Sequence, residues 1–379
     1  MKIYLDNAAT TPLDPEVFEA MKPFMMEDFG NPSSTHAHGR KVRSAIESAR
    51  KKVAELLNCT PGEIIFTSGG TEADNSIIRS AVETYQLKHV ISSPIEHHAV
   101  THTLDHLVRQ NIIQLHYVRL NEKGHVDMHH LEELLKAFPS ALVALMHANN
   151  EIGNLLDIEA VGNLCHTHQA YFHSDTVQAI GHYRHDMKKL KVHGMAAAAH
   201  KFHGPKGVGF MYINKDKKIH AFMHGGAQER NMRGGTENVY GIIGLSKALE
   251  ICYREMDAHK DYIERLKTRM IEKLKSVLPE VDFHGDSANL ERSLYTVLNV
   301  SLPESEENEM LLFNLDLHGI SASGGSACAS GASTGSHVLS TLYPNSKRGA
   351  VRFSFSKFTK PEEIDFAVEK LAEIYKVTV

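Results

Sequence analysis

The chain has 379 residues, 42% hydrophobic and 23% charged, the balance of an ordinary globular protein. Its 41 basic and 46 acidic residues give a formal charge of -5, and neither end carries a basic tract, so nothing points to nucleic acid. The opening MKIYLDNAATTPLDP lacks the apolar run of a secretory signal, and no stretch reaches transmembrane length, so a cytoplasmic protein with no membrane contact is expected. The length allows one large domain and a smaller one. Four cysteines are too few for a disulfide framework. Cys59, Cys165 and Cys252 sit in helix-like, partly apolar patterns and read as buried small hydrophobes. Cys328 differs, because it lies in SASGGSACASGASTGS, where almost nothing can pack. Cys165, His166 and His168 do not converge on one ion from a helix, and no HExxH or CxxC accompanies them, so no metal site is expected.

From about residue 62 to 215, short β-branched runs alternate with amphipathic stretches. EIIFTSG precedes a helix near Thr71, and KHVISSP precedes one near His97. ALVALMHANN, AYFHSDT and GMAAAAHK follow as further strands or strand ends. This alternation predicts a parallel sheet covered by helices on both faces, with its ligand site beyond the carboxyl ends of the strands. Residues from about 236 to 277 predict a long charged helix leading out of that unit. SLYTVLNVSL, a helix near 306–317, the Cys328 loop, VRFSFS and a final helix from about 361 predict a small α+β domain. The boundaries drawn are 15–255 for the large domain, and 1–14 with 256–379 for the small one, which carries the loop at about 322–336.

The polar residues that stand out fall on the predicted strand ends. Lys201 follows a run of alanines and precedes a Gly-Pro turn, an apolar setting that lowers a lysine's pKa and suits it to attack carbonyls. A Schiff-base lysine for pyridoxal phosphate needs an acid against the pyridine nitrogen. Asp175 ends the strand YFHSD, 26 residues earlier, one crossover step away. Gln178 follows it and can reach the ring oxygen. The phosphate needs backbone N–H groups at a helix start, and TSGGTEADN supplies them at Gly70 and Thr71. His97 opens a helix at another strand end, where it can stack on the ring.

In this order, the pieces resemble the cysteine desulfurases of the class V aminotransferase family, among them the long-loop group that serves iron–sulfur cluster assembly. The matching segments run end to end: YLDNAATTP, FGNPSSTH, FTSGGTEADN, SPIEHHAV, MHANNEIG, HSDTVQAIG, HKFHGPKGVG, MHGGAQERNMRGGTEN, SGGSACAS and VRFSFSKFT. The resemblance implies an aspartate aminotransferase-like fold with pyridoxal phosphate on Lys201. It implies Asp175 and Gln178 at the ring, His97 stacked on it as an acid/base, and Gly70, Thr71 and His200 at the phosphate. Asn150 and Arg352 match positions that hold the substrate carboxylate, Asn150 also lying at the cofactor. Thr236 matches a residue that reaches the other subunit's phosphate, implying a homodimer. Cys328 matches the cysteine that accepts sulfur from L-cysteine as a persulfide and hands it to a sulfur-acceptor protein. Glycines at 324, 325, 331 and 335 suit a loop that must visit two places. One position departs from the pattern: Ala198 stands where the family usually has a phosphate-binding serine.

Transamination, kynurenine cleavage and selenocysteine lysis share the fold. Transamination does not need a mobile cysteine, and selenocysteine lysis does not require a cysteine nucleophile in principle, so Cys328 favours cysteine as substrate. A non-catalytic assembly partner is the reading from another class, and the intact set Lys201, Asp175, His97, Arg352 and Cys328 argues against it.

Overall fold

The computed structural model describes residues 2–324 and 335–375. Cys328 lies outside the described residues, as do Gly325 and Gly331. A seven-stranded sheet organises the first two-thirds of the chain, in the order Ile64–Thr67, Gly209–Ile213, Gly194–Ala198, Tyr171–Asp175, Leu142–Ala144, His89–Ser92 and Gln114–Tyr117. Gly209–Ile213 runs antiparallel to both its neighbours, and the remaining pairings are parallel. Successive side chains of each strand go to opposite faces. Ile64, Phe66, Ile91, Val143 and Ala197 enter one apolar core, while Ile65, Val90, Leu142, Ala144 and Ala196 enter another. Both faces are therefore covered by helices, as the alternation of the sequence predicts. The helix Gly70–Tyr85 lines one face through Ala73, Ile77 and Ile78, and Ala37–Leu56 lines the other through Val42, Ile46 and Val53.

The long helix runs Val239–Val277, with Asn238 capping it by accepting the Gly241 N–H. At 1.5 Å per residue it spans about 58 Å, long enough to serve two cores. Its first half packs Ile242, Leu245 and Leu249 under the large sheet. Its second half packs Ile263, Leu266 and Met270 into a third core with the antiparallel strands Val297–Leu302 and Gly349–Ser354 and the helix Pro361–Ile374. The N-terminal strand Ile3–Tyr4 joins this third core, pairing with Ile320–Ser321.

Three expectations need adjustment. The strand in ALVALMHANN is assigned only over Leu142–Ala144, although Leu145 and His147 go on donating to the backbone oxygens of His173 and Asp175 before a turn at Asn149, whose side chain accepts the N–H groups of Glu151 and Ile152. The helix near 306–317 is a 3-10 turn, Glu306–Met310, followed by Leu311–Leu317. Cys59 is half-buried in the turn after Ala37–Leu56 rather than in a helix, whereas Cys165 and Cys252 are buried in helices.

Candidate active site

A cavity of about 190 Å³ opens at the carboxyl ends of the parallel strands. Gly70, Thr71, His97, Asn150, Asp175, Gln178, His200, Lys201 and Arg352 all line it, as does Ala198. The strand order explains the gathering. Asp175 ends Tyr171–Asp175, Ala198 ends the adjacent Gly194–Ala198, and the 3-10 turn Ala199–Lys201 carries His200 and Lys201 over the edge.

Lys201 is held by the N-terminal segment. Its Nζ donates to the backbone oxygens of Ala8 at 2.6 Å and Ala9 at 2.9 Å. Gln178 donates to the same Ala8 oxygen at 2.9 Å, and its amide nitrogen keeps a second hydrogen. Asp175 is buried and accepts the Val177 N–H at 2.9 Å. Burial lifts its carboxyl to about 6, against the opposing pull of that hydrogen bond and of the Lys201 charge. Asp74 and Glu96 are buried as well, and burial, with the charge of Asp175 added, pushes both well above the carboxylate range. A cationic ring nitrogen beside Asp175 would hold that carboxyl ionised.

One end of the cavity is a cradle of backbone. The helix Gly70–Tyr85 starts at the cavity wall and directs its first N–H groups there. A Cβ on Gly70 would fall 2.5 Å from Cγ2 of Val177, so only glycine brings the helix start this close. The acidic residue of that first turn, Glu72, is engaged elsewhere, pairing with Arg233 at 2.8 Å and accepting the Ser68 N–H at 2.8 Å. His200 contacts Thr10 at 3.2 Å, and burial, with Lys201 and Lys206 adding to it, brings its ring down to about 4.

His97 caps the helix His98–Arg109, its Nδ1 accepting the Ala99 N–H at 3.1 Å. Burial and the nearby charges of Lys201, His337 and His102 bring it down to about 4. Neutral, with its lone pair engaged at Nδ1, the ring presents an Nε2–H donor.

Arg352 is only 1% exposed. Its Nη1 donates to the backbone oxygen of Asn150 and its Nη2 to Asp6, both at 2.8 Å. Its Nε is buried without a hydrogen-bond partner. Thr236 is exposed and lines a separate cavity with Ser68 and Arg233, so a single protomer does not bring it to Lys201. The residues missed in the sequence are Ala8, Ala9 and Asp74. Ala8 and Ala9 act through carbonyls, which no side-chain pattern announces, but Asp74 sits one helical turn after Gly70 and was within reach of the 3.6-residue period.

A half-buried lysine amine, an acid raised by burial, a helix start and an arginine at one cavity suit an enzyme that binds an aromatic carbonyl phosphate together with a carboxylate substrate. A family model described as Aminotransferase class-V matches residues 3–366, and the chain belongs to that family. Within it the similar proteins are cysteine desulfurases. "Cysteine desulfurase IscS" of Dictyoglomus turgidum is 41% identical over 98% of this chain and 94% of its own. The protein of the same description from Methanosarcina thermophila is 42% identical over 98% and 91%. Among solved structures, a "NIFS-LIKE PROTEIN" superposes with a TM-score of 0.91 at 36% identity, covering 99% of this chain and 100% of its own. The "Apo structure of Cysteine Desulfurase from Thermococcus onnurineus NA1" superposes with a TM-score of 0.87 at 25% identity, covering 99% and 95%.

Proposed function

We propose that this protein is a pyridoxal-phosphate-dependent cysteine desulfurase, which converts L-cysteine to L-alanine and leaves the sulfur as a persulfide on Cys328. The observation that supports it most is the meeting of Lys201, Asp175 and Arg352 at one cavity. When bound, pyridoxal phosphate supplies a carbonyl carbon for the substrate amine and an electron-withdrawing ring. Asp175 faces the ring nitrogen, and an ion pair there offsets the burial that otherwise raises its carboxyl. Gln178 offers its second amide hydrogen to the ring oxygen. Gly70, Thr71 and His200 hold the phosphate. The buried glycine cradle, the orphaned Nε of Arg352 and the Lys201–Asp175 pairing of charge suit this group.

Arg352, with Asn150 behind it, orients the substrate carboxylate through the guanidinium edge that carries Nε. Lys201, bonded to the Ala8 and Ala9 carbonyls at rest, moves the proton at the substrate Cα. Cys328 acts as a thiolate. Its sulfur forms a bond to the substrate sulfur, the carbon–sulfur bond breaks, and the electron pair returns to the carbon skeleton, which takes up protons and leaves as alanine. His97 stacks on the ring as a neutral group, and carrying a proton for the thiol steps requires it to release the Ala99 N–H from Nδ1. The persulfide then passes to a sulfur-acceptor protein of an iron–sulfur, thio-cofactor or tRNA-thiolation route.

On this reading the protein works in the cytoplasm as a homodimer, with exposed Thr236 completing the partner subunit's phosphate site. It divides into a large domain at 15–255 and a small one at 1–14 and 256–379. The purified protein, loaded with cofactor, is expected to be yellow and to yield alanine from cysteine. Lys201→Ala is expected to abolish alanine formation, and Cys328→Ser to abolish sulfide release while keeping the colour. Alanine formed by Lys201→Ala at the wild-type rate would overturn the assignment.

A further inference from the structure

Beside the Lys201 cavity two buried acceptors face each other. Glu151 is fully buried, and its Oε2 accepts the hydroxyl of Ser336. Its Oε1 has no hydrogen-bond partner, and neither has Nδ1 of His337, 3.8 Å away. The other ring nitrogen of His337, Nε2, meets the backbone oxygen of Glu96 at 2.9 Å. A carbonyl only accepts, so Nε2 carries the hydrogen, and Nδ1 of the neutral ring is a bare lone pair. An ionised Glu151 leaves both groups unsatisfied, which is costly in a buried place. One proton, on either atom, would join them once the 3.8 Å gap closed to hydrogen-bond distance.

The place of this pair in the chain gives it a task. Ser336 accepts the Leu339 N–H at 2.9 Å and caps the helix His337–Leu342, and Cys328 stands eight residues before Ser336. Glu96 precedes His97. The anchor for the chain just after the cysteine is thus fastened to the same strand end that carries the ring-stacking histidine.

We propose that Glu151 and His337 form a proton-dependent latch that fixes the chain at Ser336–His337 and thereby positions the Cys328 segment for sulfur transfer. Both act as positioning residues, and the role in sulfur transfer rests on the desulfurase reading. The groups around the pair are consistent with it. Burial raises the carboxyl of Glu151, against the Ser336 hydroxyl and the charges of His337 and Arg352. The His98 ring lies 4.3 Å from that of His337 and stacks on His102 at 4.5 Å. Burial, with the charges of His337, His102 and His97 added, brings His98 down to about 4, so it meets His337 as a neutral ring. The Glu96 carboxyl points elsewhere, one oxygen accepting the Met146 N–H at 3.0 Å. The shared proton is bound at lower pH and released as pH rises, so the latch is closed at the acid end and open at the alkaline end.

Glu151→Gln tests the latch directly. Its amide offers a carbonyl to Ser336 and a permanent N–H to His337. Hydrogen exchange at amides 337–342 of the holoenzyme, corrected for intrinsic rates, is followed across about pH 5 to 8. The wild type is expected to lose about tenfold in protection as pH rises, the scale of one hydrogen bond to a charged group. Glu151→Gln is expected to keep its protection throughout, and its turnover to lose the corresponding limb of the pH profile. His337→Gln keeps an N–H for the Glu96 carbonyl but has no Nδ1, and is expected to exchange fast at every pH. Protection that is flat with pH in the wild type, or that falls equally in Glu151→Gln, overturns the latch. Should Glu151→Gln fail to fold, the nitrogen resonances of His337 in the wild type decide: an Nδ1 that stays unbonded at every pH overturns it. Alanine formation by the same wild-type samples reports separately on the desulfurase reading.

Discussion

Ala198→Ser is expected to tighten cofactor binding. Ala198 ends its strand at the cavity wall, 1% exposed, and the position of a Cβ on Gly70 lies 3.8 Å from its own Cβ. A hydroxyl there would stand beside the helix start that forms the anion cradle. The backbone would not change, because residue 198 pairs with Gly209 through main-chain groups only. One hydrogen bond to a charged oxygen contributes about 1.5–3 kcal/mol, which is about tenfold to about 150-fold in affinity. The lower end is the better expectation, since the hydroxyl also gives up water in the empty site. Apo protein of both forms would be titrated with pyridoxal phosphate and followed by absorbance and fluorescence. Equal dissociation constants would refute the reasoning, and would mean that Thr71 and the helix N–H groups already saturate the phosphate.

Gly70→Ala should act in the opposite direction. Its Cβ would fall 2.5 Å from the Val177 side chain, so the helix start or Val177 must move. A stability loss of about 1–3 kcal/mol in denaturant titration should accompany weaker cofactor binding, and unchanged affinity would show that the close approach has no role in the cradle. Asp175 gives a pH effect with a defined sign. Its carboxyl is raised to about 6 in the empty site, above its ordinary value of 3.8, so the folded apo protein holds this proton more tightly than the unfolded chain. Its contribution to apo stability is present below the unfolded value and is lost as pH rises through about 6. Asp175→Asn should flatten that slope in thermal melts of the apo form and weaken cofactor retention. An apo melting curve with the same pH slope in both forms would refute the assignment of the slope to Asp175.

The alternation of β-branched runs and amphipathic stretches made the doubly covered sheet legible, and strand-end placement together with the resemblance named nine residues that line a single cavity. What stayed hidden was of another physical kind. The carbonyls of Ala8 and Ala9 hold Lys201, yet the backbone oxygen of an alanine has no signature in sequence. The facing pair Glu151 and His337 is separated by nearly half the chain, and only packing brings it together. The turn at Asn149, after the last bond to the neighbouring strand at His147, rests on side-chain hydrogen bonds that hydrophobic pattern does not encode. Cys328 lies outside the described residues, and its role rests on resemblance and on the segments that flank it.

The arginine and lysine of the cavity are both fastened to the first nine residues, and the arginine meets Asp6 across 346 positions of sequence. Ser354, on the same late strand, accepts the Ala8 N–H with its side-chain oxygen. During synthesis the large sheet can be complete while these partners are still missing. A nascent chain that has reached only residue 340 has its lysine, its aspartate and its anion cradle, but no arginine to receive a carboxylate. Arg352 itself arrives only with the last strand, Gly349–Ser354. Long-range closure of this kind is slow to form.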